Sequence, residues 1–128
     1  MNITTREVGD VTVLEIKGQM SLAEGTALLR NTIRNLHRDH KTKIVLDMGE
    51  TGYIDSSGIG ELVSAWTTTS NQGGSFKLLA LTRKPQELLT ITKLLSVFDA
   101  FDDEAKAVAS FGNKPVPFPA LSVPPPGE

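Results

Sequence analysis

The chain has no cysteine, two histidines, one tryptophan and one tyrosine among its 128 residues. Without cysteine there is no disulfide, no thiolate metal site and no cysteine nucleophile. The two histidines, His37 and His40, sit together in one charged stretch with Arg38, Asp39 and Lys41. No pair of histidines and carboxylates has ligand spacing on a recognisable element, so no metal and no cofactor is expected. No apolar run approaches the ~20 residues of a membrane-spanning helix. Met1 to Asp10 lacks an apolar core flanked by basic residues, so no signal peptide is expected there. A basic surplus is missing as well, with 13 Lys and Arg against 15 Asp and Glu. Direct nucleic-acid binding is therefore not expected, because phosphates are met by cationic surface. These absences lead to the expectation of a soluble, cytoplasmic protein without membrane insertion.

What is present is ordinary for one globular domain: 39% hydrophobic and 22% charged residues. Six of the seven prolines lie at or after Pro115, in the run PVPFPALSVPPPGE. Such composition favours extended, unpacked chain. Residues 1–111 are read as the domain and 112–128 as a flexible, Pro-rich tail. A polyproline ligand for a partner is the functional alternative for that tail.

Within the domain, Gly9-Asp10 marks a two-residue turn joining strands Ile3–Val8 and Val11–Lys17. Leu29, Ile33 and Leu36 recur at helical spacing within Glu24–His37. Lys43–Asp47 is a short apolar strand of the kind buried in parallel sheets. Ile59, Leu62, Val63 and Trp66 mark a second helix, and Phe76–Leu81 another buried strand. Pro85 opens a third helix with Leu88, Ile91, Leu94 and Leu95 inward. Ala105, Val108 and Phe111 suggest a fourth, short one. The alternation predicts an α/β fold, a mostly parallel mixed sheet of about four or five strands with about four helices. The N-terminal hairpin supplies its antiparallel edge.

The chemistry is concentrated in Asp55-Ser56-Ser57-Gly58, a polar turn that opens the second helix. Asp and Ser cap helices by accepting from unpaired amides of the first turn, and a capped helix alone would explain them. Helix phase separates the two serines. At ~100° per residue, Ser57 falls about 170° and Ser56 about 70° from the face defined by the four apolar residues. Ser57 is thus expected in solvent, in line with Glu61, Ser64 and Thr68, and Ser56 at the core boundary. Gly58 and Gly60 leave bare backbone, either for close packing against a strand or for another molecule.

Leu46-Asp47 followed by Tyr53-Ile54-Asp55-Ser56-Ser57-Gly58-Ile59-Gly60 resembles the signature of STAS domains, the anti-sigma-factor antagonists. The resemblance spans roughly Met1 to Phe111 and implies a single STAS-like domain. In that family the serine directly before the glycine is phosphorylated by an anti-sigma factor that is also a serine kinase. Carried over, that residue is Ser57. The resemblance then implies a non-enzyme that binds the anti-sigma factor when unmodified, releases a sigma factor, and is switched off at Ser57. Asp55, Ser56, Ser57, Gly58, Glu61, Ser64 and Ser21 would form the partner surface, with a serine phosphatase to reset it. A monomer is expected. One position departs from the family pattern: Gly18-Gln19-Met20-Ser21 has Ser21 where an aspartate is common near the partner-binding edge. Ser21 could cap the following helix instead.

Other readings fare worse on the residues. The nucleophile elbow needs glycine two places before the serine, where Asp55 stands. A nucleotide site lacks a phosphate-cradling lysine motif, and Gly73-Gly74 reads as the turn into a strand. Two alternatives keep the fold: a scaffold of a stress-signalling complex, or a soluble STAS subunit of a lipid transporter.

Overall fold

The computed structural model describes residues 2–21 and 26–112. Its elements run β1 (Asn2–Val8), β2 (Val11–Lys17), α1 (Ala27–Arg38), β3 (Lys43–Glu50), α2 (Ser56–Asn71), β4 (Ser75–Leu79), α3 (Arg83–Ile91), β5 (Asp99–Phe101) and α4 (Glu104–Gly112). The strands form one sheet in the order β1-β2-β3-β4-β5. Only β1 and β2 pair antiparallel, Val8 facing Val11 across a turn whose Gly9 takes φ +63°. The remaining pairs are parallel, as helical crossovers require.

Alternation along the strands divides the core in two. Leu14, Ile16, Ile44, Leu46, Met48, Phe76 and Leu78 meet Leu29, Ile33 and Leu36 of α1, Leu62 and Ala65 of α2, and Leu89 of α3. Val11, Val13, Val45 and Leu79 point the other way and meet Ala107 and Phe111 of α4. Helices therefore cover both sheet faces, which is why β2 and β3 read as nearly continuous apolar runs. Two ionic devices hold α4. Arg6 bonds both carboxylate oxygens of Glu104 and donates from Nε to Glu15 at 2.8 Å. Lys77, 9% exposed, donates to Ser110 Oγ at 2.8 Å and lies 4.7 Å from the Phe111 ring centroid.

Several expectations shift. Ile91 is 75% exposed, while Pro85 and Leu89 are buried. Helix α3 ends at Ile91, and Lys93 at φ +62° reverses the chain. The helical period therefore does not extend to Leu94 and Leu95, which are half-buried against the larger core layer. On α4 the inward pair is Ala107 and Phe111, one turn apart, and Ala105 is exposed. Strand β4 stops at Leu79, because Ala80 takes φ +60°. Strand β5 has three residues, too few to show alternation in sequence. Helix α1 is described from Ala27; Glu24, its expected start, lies outside the described residues. Gly112 is the last residue of α4, and the rest of the expected tail, 113–128, lies outside them also.

Candidate functional site

The turn into α2 is built by stitching two chain segments together. Gly18, at φ +108°, turns the chain out of β2. Met20 then donates its N–H to the Tyr53 carbonyl at 3.1 Å, and its own carbonyl accepts from Asp55 N at 3.1 Å. This parallel bridge of Met20 with Ile54 fixes where α2 begins. Thr51 is buried and donates Oγ1 to the Ile16 carbonyl at 3.3 Å, while Thr82 Oγ1 donates to the Thr51 carbonyl at 2.6 Å. The loop before the helix is thus tied to both neighbouring strand ends.

Asp55 is the N-cap, extended at φ −111° and ψ −171°, with its Oδ1 accepting from Gly58 N at 3.1 Å. That bond satisfies one of the unpaired first-turn amides. Gly58 is buried against the stitch itself. A Cβ there would lie 2.4 Å from the Met20 carbonyl oxygen and 2.5 Å from Ile54 Cγ1. Close packing is therefore the role of Gly58. Gly60 differs: nothing lies within 4 Å of a Cβ built on it.

The serines come out differently from the phase expected in sequence. Ser56 is exposed and Ser57 half-buried. The stripe of α2 that goes inward is Gly58, Leu62, Ala65 and Thr69, with Ile59, Val63 and Trp66 half-buried on its flank. Small residues let the helix approach the sheet closely, so the buried stripe does not follow the largest apolar side chains. Its centre is rotated by about 80°, which puts Ser57 about 110° and Ser56 about 150° from it. Ser57 shares its side of the helix with Glu61, Ser64 and Thr68, the side that faces α1.

Glu61 is half-buried, not free in solvent. Its Oε2 accepts from Arg30 Nη2 at 2.5 Å, Arg30 Nε at 3.1 Å and Thr26 Oγ1 at 3.4 Å. Ser64 is exposed. Ser21 is 5% exposed, directly beyond the Met20 bridge; the N-cap of α1 is Thr26, so Ser21 does not hold that place. Asp55, Ser56, Ser57 and Gly58 come together on the entry turn, Ser21 follows Met20 where it bridges to Ile54 before that turn, and Glu61 and Ser64 continue along α2.

Two features were missed in sequence. Tyr53 is 44% exposed, and with Ser56, Lys84 and the exposed Ile91 it borders a hollow of about 390 Å³ beside the serines. An aromatic two residues before the Asp-Ser-Ser-Gly run was the available signal. His37 lies at the far end of the helix pair, its Nε2 2.8 Å from Thr69 Oγ1, and burial holds its pKa below the usual histidine value. Thr69 is twelve residues along α2 from Ser57, about 18 Å at helical rise, so His37 is not placed to act on that hydroxyl. Among the described residues no His, Asp or Glu group could hold a metal, and no helix is long and apolar enough to cross a membrane.

Comparison with known proteins gives the same architecture. An anti-sigma factor antagonist from Mycobacterium paratuberculosis aligns with a TM-score of 0.78 at 15% identity, over 88% of this chain and 94% of that one. The Bacillus cell fate determinant SpoIIAA, in its phosphorylated form, gives 0.68 at 16% identity, over 85% and 98%. A sulfate transporter family protein from Wolinella succinogenes gives 0.66 at 16% identity, over 82% and 87%. The family model described as STAS domain matches residues 2–107. This chain belongs to the STAS domain family.

Proposed function

We propose that this STAS domain is an anti-sigma factor antagonist whose docking surface is the entry turn of α2, switched off by phosphorylation of Ser57. The observation that carries the reading is the placement of Ser57. It stands in the first turn of a capped helix, half-buried at the surface, beside exposed Ser56 and Tyr53. The fold likeness to an antagonist, and to SpoIIAA in phosphorylated form, supports it. In this reading the unmodified turn docks on an anti-sigma factor that is also a serine kinase, and docking releases a sigma factor. A serine phosphatase resets the switch, and the antagonist works as a cytoplasmic monomer.

A phosphate adds about −1.5 to −2 charges at neutral pH. At a helix N-terminus the unpaired amides and the dipole tolerate that charge, so the fold persists. At the interface the dianion must be desolvated beside Asp55, with Glu61 one turn further on. A loss of about 3 kcal/mol weakens binding roughly a hundredfold.

The test is incubation with candidate anti-sigma kinases and ATP, followed by mass measurement of the intact protein and of its Ser57→Ala variant. A single phosphate on the wild type and none on Ser57→Ala is expected. Ser57→Ala should then bind the cognate kinase constitutively and Ser57→Asp poorly. Equal affinity of the two variants would defeat the reading. Scaffold or lipid-transporter duty, the alternative for this fold, needs no phosphate at Ser57, so the same mass measurement separates it.

A further inference from the structure

Strand β1 closes one side of the sheet and leaves an open edge. Val8 and Val11 flank a two-residue turn, so Val8, Arg6 and Thr4 exchange hydrogen bonds with Val11, Val13 and Glu15 of β2. Ile3, Thr5 and Glu7 alternate with them and direct their N–H and C=O groups away from the sheet. Among the described residues nothing takes up those groups. Thr5 and Glu7 are exposed, and no helix runs close along β1. Open edges are commonly protected by proline, lysine, a bulge or brevity. β1 has none of these: it reads NITTREV, seven residues in unbroken register with β2. Its two charges are occupied as well, Arg6 by Glu15 and Glu104, and Glu7 by Lys41.

We propose that β1 pairs with β1 of a second copy of this chain, antiparallel about a two-fold axis through Thr5. Residues whose bonds point outward must stand opposite residues of the same kind for a ladder to form. Among the two-fold registers that satisfy this, the one centred on Thr5 alone overlaps the whole strand, Asn2–Val8. Ile3 of one copy then faces Glu7 of the other, the two Thr5 residues face each other, and every outward N–H finds a carbonyl. Thr opposite Thr is a favourable cross-strand pair, and no like charges stand directly opposite. Centred on Arg6 or Glu7, the strands would instead set two guanidinium groups or two carboxylates against each other. The chain's own segment 113–128 is a poorer occupant, because its prolines have no N–H to give. A contact one strand wide lies at the small end of interface sizes, so the association is weak and the monomer persists on dilution. The proposal goes beyond the Ser57 switch and does not require it: β3 leads into the entry turn of α2, and β2 separates β3 from β1.

Sedimentation velocity of the full chain from about 5 μM to about 1 mM tests the pairing, with amide hydrogen exchange read by NMR at both ends of that range. A monomer–dimer equilibrium is expected. The Ile3, Thr5 and Glu7 amides should exchange at least about threefold more slowly at the high concentration. Those of Thr4, Arg6 and Val8, bonded to β2, are protected at both. Thr5→Pro removes an outward N–H without touching the β2 ladder and should weaken pairing by at least about tenfold. Thr5→Lys and Thr5→Glu each set like charges face to face and should stay monomeric, whereas their equimolar mixture pairs again. Thr5 is exposed, so the charged variants keep the fold, and they decide the matter if Thr5→Pro does not fold. A monomer at every concentration, a dimer that Thr5→Lys leaves intact, or a mixture no tighter than either variant alone would overturn the proposal. Protection confined to residues outside β1, or growth into species larger than a dimer, would overturn it as well, since a two-fold contact closes on itself. None of these measurements uses a kinase, so their failure is distinct from failure of the Ser57 reading.

Discussion

Arg30 of α1 donates from both Nε and Nη2 to one oxygen of Glu61, which lies one helical turn beyond Ser57 on α2. The edge of the candidate docking surface is therefore tied to the neighbouring helix, and Glu61 faces Ser57 at the i, i+4 spacing where side chains interact. A negative charge at residue 57 feels two opposing effects. The helix N-terminus favours it by about 0.3–1 kcal/mol. Repulsion from Glu61 costs about 0.2–0.5 kcal/mol.

Ser57→Asp is accordingly expected to change folding stability by no more than about 0.8 kcal/mol, since these effects oppose each other. Urea unfolding of the two proteins checks it. If the variant lost several times that amount, residue 57 would be packed rather than surface-facing. Any loss of partner binding could then not be assigned to the interface.

The two glycines of the first turns should respond oppositely to alanine. Gly58→Ala drives a methyl group into the Met20 carbonyl and Ile54, and overpacking of that kind costs typically about 1–3 kcal/mol. Gly60→Ala meets open space, and replacing glycine within a helix gains roughly 0.4–1 kcal/mol. Thermal or urea midpoints of the pair decide the matter. A harmless Gly58→Ala would mean that the Met20–Ile54 stitch yields easily.

His37 makes stability depend on pH in a defined window. Burial lowers its pKa in the folded protein, so the unfolded chain binds the proton more readily. Stability from this residue is complete above the unfolded value near 6.5 and falls as pH drops below it, toward the lower folded pKa. Unfolding midpoints at pH 7.5 and pH 5.5 should differ more for the wild type than for His37→Gln. Identical pH dependence in the two proteins would show that His37 titrates as in the unfolded chain.

The clamp on α4 is expected to contribute modestly. Arg6 holds the Glu104 carboxyl below its usual pKa, but both side chains are 37% exposed and screened by solvent. Glu104→Gln should destabilise by about 0.5–1 kcal/mol, the upper part of the range for surface pairs because the contact is bidentate. A denaturant midpoint measures this. The contribution is present above the unfolded carboxyl pKa and disappears as pH falls through the depressed folded value.

Local patterning was enough to place most of the fold. Short, nearly continuous apolar runs marked β2 and β3, period 3.6 marked α1, and Gly9-Asp10 marked the hairpin turn, because backbone geometry links those patterns to elements. The Asp-Ser-Ser-Gly run likewise located the entry turn of α2, since Asp55 caps that helix through an amide three residues away.

Orientation was another matter. Ser56 rather than Ser57 is the more exposed serine because the inward stripe of α2 is chosen by how closely the helix approaches the sheet. Gly58 and Ala65 permit that approach, whereas counting large apolar residues does not reveal it. Ile91 faces outward because it lies about 200° around α3 from buried Leu89, and the tie of Arg30 to Glu61 joins residues 31 positions apart. Periodicity reports each element alone; the rotation of a helix about its axis, and the partner across a groove, arise only when separate elements pack.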